Sequence, residues 1–169
     1  MIPRIGIVGW QGSGKTSLIA RLIPEFNRRG HTVSTLKHAH ASFEIDRPGK
    51  DSFVHREAGA REVLVASGQR WALIHEERNV DRTPERLIAR MEAVDVLLIE
   101  GWKGGAHKKI EVHRPALRRP LLVADDPMII AIASDAPVSE CDRRILPLND
   151  ETAIVDFILV ELGVSNRAA

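Results

Sequence analysis

The sequence predicts a three-layer α/β fold with a mostly parallel central sheet, and three observations predict it. The apolar run Ile5-Gly6-Ile7-Val8 passes through a glycine-rich turn into a helical pattern. Two further runs, Val94–Ile99 and Met128–Ala133, are apolar almost without interruption, as strands buried on both faces of a parallel sheet are. Strand and helix patterns then alternate down the chain, which is the signature of helices covering both faces of such a sheet.

Taken in order, Ile5 to Val8 reads as a short buried strand. Thr16 to Arg29 reads as a helix with Leu18, Leu22 and Phe26 on one stripe, Ile19 and Ile23 beside it, and Gly30 closing it. Pro24 falls inside that pattern and removes the bond to Ala20, so a kink is expected there. Thr32–Leu36 is a second strand, which brings Lys37, His38 and His40 to the sheet edge where ligands bind in open parallel sheets. From Ala41 to Ser52 periodicity is lost in a long polar loop with a Pro-Gly turn, and Asp51 or Ser52 is expected to cap a short helix through Arg56 and Ala58. Glu62–Ala66 and Trp71–His75 are two strands around Ser67-Gly68-Gln69-Arg70, forming a hairpin or a pair at a sheet edge.

Thr83-Pro84-Glu85 opens a helix with a cap, a first-turn proline and a first-turn acid, turning Leu87, Ile88 and Met91 inward. The strand Val94–Ile99 follows and ends in Glu100-Gly101-Trp102-Lys103. Lys109–His113 is another strand, and Met128–Ala133 a buried one ending at Ser134-Asp135. The last helix runs from about Asp150 to Leu162 with Ile154, Val155, Ile158, Leu159 and Leu162 facing in, and Gly163 stops it. A single domain over 1–163 with a C-terminal tail over 164–169, frayed from Ser165 to Ala169, is the expected organisation.

At 169 residues the chain is long enough to bury a core without staples. A net charge of +1 excludes a general nucleic-acid or membrane-surface binder, so any basic site must be local. One cysteine, Cys141, excludes a disulfide framework within the chain. The opening Met1-Ile2-Pro3-Arg4 moves straight into a strand and no apolar run reaches membrane-span length, so a cytoplasmic location is expected.

The chemistry concentrates in Gly9-Trp10-Gln11-Gly12-Ser13-Gly14-Lys15-Thr16, which matches the phosphate-binding pattern G-x-x-x-x-G-K-[ST] at every fixed position. Backbone N–H groups wrap a phosphate only where side chains do not block the approach, and Gly9, Gly12 and Gly14 remove that obstacle. The N–H groups around Ser13 and Ser17 and the start of the helix favour a di- or triphosphate, with Lys15 reaching the β- and γ-phosphates and the Thr16 hydroxyl on Mg²⁺. This gives a fold of the P-loop nucleoside-triphosphatase kind.

Turnover also needs a carboxylate near the metal, and Glu100, at the end of a buried strand before a glycine, is placed for it. Asp46 and Asp51 lie on a loop that can approach the γ-phosphate, although a turn for Asp46 and a helix cap for Asp51 account for them as well. Asp135 at a strand end either accepts from guanine N1 and N2 or ends a turn; the Asn-Lys-x-Asp guanine signature is absent. Lys37, His38, His40, Arg47, Lys50 and Arg56 form one local excess of basic groups, and Lys103, Lys108 and Lys109 a second, which suits a second polyanionic ligand.

Gly9 to Thr16, Lys37-His38-Ala39-His40, Asp46-Arg47-Pro48-Gly49-Lys50-Asp51-Ser52, Arg56-Glu57-Ala58-Gly59-Ala60 and Glu100-Gly101-Trp102-Lys103 together resemble the MobB family, over nearly the whole chain to about Leu162. The resemblance implies a cytoplasmic GTP-binding protein with weak Mg²⁺-dependent GTPase activity, commonly a homodimer. It would assist a MobA-type nucleotidyltransferase in joining GMP to molybdopterin. It implies that Lys15 and Thr16 hold phosphates and Mg²⁺, that Glu100 is the acid of the second nucleotide motif, and that Lys37 to Ser52 is the surface for pterin phosphate or partner. Trp102 then either stacks on a pterin or base or packs in the core.

Two other readings share the same residues. A small-molecule kinase would use the same loop with a closing arginine-rich lid; the sequence shows no compact lid of that kind, and Arg114, Arg118 and Arg119 are the arginines that keep the reading open. A nickel metallochaperone GTPase would bind the ion through His38, His40 and His107.

Overall fold

A computed structural model describes residues 2–39, 43–76, 83–139 and 141–166. The chain forms two compact units, Met1–His38 with Thr83–Ala169, and Ala39–Arg82.

The larger unit is built on six strands: β1 (Arg4–Val8), β2 (Val33–Lys37), β5 (Val96–Glu100), β6 (Lys109–His113), β7 (Ile129–Ser134) and β8 (Arg144–Pro147). Their order is β2-β5-β1-β6-β7-β8, and every neighbouring pair is parallel. All five residues of β5 and all five of β6 are buried, which explains the apolar run of β5. The three-layer α/β class read from the sequence is the observed one.

Helices α1 (Lys15–Arg28) and α4 (Glu151–Leu162) cover one face, where Leu18, Leu22, Phe26, Ile154 and Ile158 meet Ile5, Ile7, Leu98, Ile110 and Val112. The opposite face holds a smaller cluster of Leu97 and Ile99 with Ile88 of α3 (Pro84–Ile88), packed by Leu36, Met91 and Trp102. Helix α1 runs through Pro24 and ends as a Schellman motif: Gly30 has φ 75°, Gly30 N donates to Asn27 O and His31 N to Phe26 O. Asp150 caps α4 through Ala153 N. After Gly163, Val164 N donates to Leu159 O and the Val164 side chain packs on the core. Asp95, read as a boundary residue, accepts from both Thr32 N and Thr32 Oγ1 at 2.8 Å and so fixes the starts of β2 and β5 side by side.

In the smaller unit, α2 (Asp51–Glu57) precedes an antiparallel hairpin of β3 (Glu62–Ala66) and β4 (Trp71–His75), which forms its own two-stranded sheet. Of the two arrangements left open for these strands, the hairpin is the one found. The capping expectation needs correction. Lys50 is the N-cap, no side chain bonds there, and Asp51 is the first helical residue, where it meets the positive end of the helix dipole instead. Strand β8 has no counterpart in the sequence reading, because only Leu146 of its four residues is buried and the strand lies at the sheet edge.

Candidate functional site

The phosphate loop leaves β1 at its C-terminal end and enters α1. Gly9, Gly12 and Gly14 all have positive φ, at 148°, 79° and 98°. At Gly9 space is as restrictive as conformation: a Cβ would lie 2.5 Å from Val112 O and 2.7 Å from Ser13 Oγ. Gly14 is the helix N-cap and carries no side chain into the position, while its carbonyl accepts Leu18 N at 2.9 Å. The first-turn amides of Lys15, Thr16 and Ser17 are those a helix cannot bond internally. Ser13 is buried, and its Oγ has no hydrogen-bond partner among the described residues.

Lys15 folds back over the loop. Its Nζ donates to Gly9 O at 3.0 Å and Trp10 O at 2.9 Å. Burial pushes the Lys15 pKa below the usual lysine range; Glu100 opposes that shift, and Lys103 and Lys37 add to it. Thr16 Oγ1 donates to Glu100 Oε1 at 2.6 Å, and Lys37 Nζ stands 3.5 Å from the same oxygen. Strand register makes this meeting: Glu100 lies opposite Ile7 of β1 and Lys37 of β2, and Gly101 turns the chain away at φ 80°. A hydroxyl and a carboxylate held together are two hard oxygen donors beside a phosphate loop, which fits Mg²⁺.

Two contacts went unread in the sequence. Arg114, just past β6, donates from Nε to Ser13 O at 3.0 Å, and its Nη1 is paired with the Asp135 carboxylate just past β7. Asp135 is thus joined to the phosphate loop, and the preceding Ser134 Oγ donates to Ala136 O in a local turn. Trp10 is clasped from outside: Lys103 Nζ lies 4.6 Å and the Arg119 guanidinium carbon 5.4 Å from its ring centroid, and Nε1 donates to Pro120 O at 2.8 Å. The sequence offered Arg114 only as one of three arginines of a kinase lid, and nothing in it pointed to Ser13 or Asp135 as its partners.

Trp102 packs on the Leu97–Ile99 cluster and stacks on His38, with ring centroids 4.7 Å apart. Of its two readings, packing is the one its contacts fill. Asp46, Lys50, Asp51 and Arg56 belong to the smaller unit. Asp46 Oδ1 accepts from Arg47 N at 2.9 Å and Ser52 Oγ at 3.0 Å, as a turn residue does. Arg56 Nη2 bonds Glu44 at 2.9 Å, with Glu57 and Glu76 each 3.8 Å from its guanidinium and Phe53 beneath it. Carboxylates therefore occupy the charge that was expected to face a polyanion. Among the described residues no group of three His, Cys, Asp or Glu side chains is placed to hold a metal ion; His40 lies outside the described residues. No helix among the described residues is long and apolar enough to cross a membrane.

The fold and this loop define a three-layer α/β protein with a parallel sheet and a glycine-rich turn between β1 and α1. Residues 4–135 match the family described as molybdopterin guanine dinucleotide synthesis protein B, and the chain belongs to this MobB family. It is 39% identical over 163 residues to the molybdopterin-guanine dinucleotide biosynthesis adapter protein of Escherichia coli, covering 94% of this chain and 93% of that one. The protein of the same description from Haemophilus influenzae is 38% identical over 160 residues, covering 93% of this chain and 88% of the other. The crystal structure of Bacillus subtilis MobB superimposes with a TM-score of 0.71 at 27% identity, over 95% of this chain and 98% of that one.

Proposed function

We propose that this chain is a cytoplasmic GTP-binding adaptor with weak Mg²⁺-dependent GTPase activity. It assists a MobA-type nucleotidyltransferase in attaching GMP to molybdopterin to form molybdopterin-guanine dinucleotide. Support for the pathway comes from the relatives, which are named adapter proteins of that biosynthesis.

The single observation that carries nucleotide binding is the Thr16–Glu100 hydrogen bond at 2.6 Å, at the mouth of a loop whose lysine is already turned inward. In this reading Lys15 leaves the Gly9 and Trp10 carbonyls for the β- and γ-phosphates, and the amides of Gly14 to Ser17 hold the β-phosphate. Thr16 and Glu100 would hold Mg²⁺, which would supply positive charge against the phosphate oxygens. Glu100 also orients water from the β5 end. Asp135 accepts from the guanine edge once Arg114 releases it. A homodimer is supported by the hairpin, which exposes Leu64, Val65, Trp71 and Leu73.

Calorimetry with GTP, ATP and their diphosphates, with and without Mg²⁺, tests nucleotide choice; tighter ATP than GTP binding overturns it. The adaptor role is tested by adding the chain to a MobA-type enzyme with molybdopterin and GTP, where the rate of dinucleotide formation must rise. A kinase reading has one observation in its favour, the two arginines, Arg114 and Arg119, held against the loop. Nucleotide consumption that depends on a hydroxyl acceptor would distinguish it.

A further inference from the structure

On the sheet face opposite α1 and α4, alternation along β6 places Lys109 and Glu111, which are 1% and 0% exposed. Each is used to hold a loop. Lys109 Nζ donates to Gly105 O at 2.7 Å and to Asp126 Oδ2 at 2.9 Å, bridging the segment before β6 to the segment before β7. The Glu111 carboxylate accepts Leu122 N at 2.9 Å and Val123 N at 3.1 Å, fixing the far wall. Burying charge is costly, and valine would cover this face without that cost. What the two charges achieve is a fixed gap between two loops.

The gap is a cavity of about 430 Å³, within the range of small-molecule sites. Val8, Leu122 and Ile129 supply apolar wall, Gly104 supplies bare backbone, and Lys103 and Asp125 supply opposite charges from different loops. Gly104 has no conformational need to be glycine, and a Cβ there would meet nothing within 4 Å. Its effect is to leave the slot open. Lys103 connects the cavity to the phosphate loop, since its ammonium lies over Trp10.

We propose that this cavity is a second ligand site for a flat 2-amino-4-oxopyrimidine-fused ring with an anionic tail, a pterin phosphate. The ring lies between the Gly104 backbone and Leu122, its N–H edge donates to the Asp125 carboxylate, and the tail meets Lys103. This rests on the molybdopterin reading above and deepens it by naming where the pterin sits. Guanine presents the same edge, so the test must separate the two.

Neopterin monophosphate is titrated by its fluorescence into the full-length protein with the phosphate loop saturated by GDP and Mg²⁺. One equivalent is expected to bind, and Gly104→Leu and Asp125→Asn are each expected to weaken it at least tenfold, with GDP affinity and thermal midpoint unchanged. Asp125 is exposed, so its variant keeps the fold. Pterin binding that vanishes when GDP is present, fails to saturate, or ignores both substitutions overturns the proposal. A second equivalent of GDP that both variants abolish, with no pterin bound, overturns the pterin assignment. If GDP and GTP fail to bind the loop while the pterin titration behaves as expected, the GTP reading falls and this site stands.

Discussion

Thr16 Oγ1 donates to Glu100 Oε1 at 2.6 Å, joining the first turn of α1 to the end of β5. The bond holds two candidate Mg²⁺ donors in contact, and Lys37 approaches the same carboxylate oxygen. Glu100→Gln keeps an oxygen that can accept from Thr16 and removes the negative charge. GTP affinity should stay within a few-fold of the parent, while single-turnover hydrolysis should fall on the order of a hundredfold. Equal hydrolysis rates would reject Glu100 as the carboxylate of turnover.

Lys15 reaches two loop carbonyls, at 3.0 and 2.9 Å, that a triphosphate would replace with charged oxygens. Charge-assisted bonds are worth about 1.5–3 kcal/mol each, so Lys15→Ala should weaken GTP by on the order of a hundredfold or more. Calorimetry reads this directly. The thermal midpoint without nucleotide should fall little, because the two hydrogen bonds lost are offset by removing an ammonium that burial destabilises.

Asp135 is paired with Arg114, and Arg114 also holds Ser13 O. A carboxylate accepts from both guanine N1–H and N2–H₂, whereas an asparagine amide would suit xanthine, which presents a carbonyl at C2. Asp135→Asn should therefore weaken GTP about tenfold and strengthen XTP by a similar factor. Arg114→Ala, which frees Asp135, should leave the GTP-over-XTP preference intact. An unchanged preference in Asp135→Asn would return Asp135 to a purely structural role as the partner of Arg114.

Much of this arrangement was legible in the chain, and the parts that were not share a physical cause. The loop was readable because three glycines and a lysine at this fixed spacing seldom occur together unless the backbone must wrap a phosphate, and Glu100 because a buried run must end where ligands bind. Strands β3 and β4 were readable from alternation and a polar turn. The pairing of Arg114 with Asp135 was not, because it comes from β6 and β7 being neighbours, which no local pattern encodes. Lys109 was read with Lys103 and Lys108 as a basic group for a polyanion, and Glu111 was not read at all, because charged residues in a short strand look solvent-facing; both are buried and bonded to loops, so the Lys109 charge is taken by Asp126. Arg56 looked like an open cation because Glu44 and Glu76, which flank it in space, are 12 and 20 positions away (56 − 44 and 76 − 56).

His107 gives the last prediction. Its side chain sits over β1, where a Cβ on Gly6 would be 2.8 Å from Nε2, and neither ring nitrogen has a hydrogen-bond partner among the described residues. Burial holds its pKa below the usual 6.5; Lys109 and Arg4 push the same way, and Glu85 and Asp126 oppose them. The unfolded chain takes up a proton near 6.5, and the folded chain does so only at lower pH. Between those values the unfolded state binds more protons, so this contribution is complete above about pH 6.5 and is lost as pH falls through the folded value. Each unit of difference is worth about 1.4 kcal/mol. Buried Glu111 acts with the opposite sign: burial raises its pKa, so its folded form gains protons first on acidification, starting from its own raised value. His107 thus adds acid sensitivity that begins near pH 6.5, and His107→Gln should flatten the fall in thermal midpoint between pH 7.5 and 5.5 while Glu111→Gln should not. An identical slope in His107→Gln and the parent would remove His107 as its source.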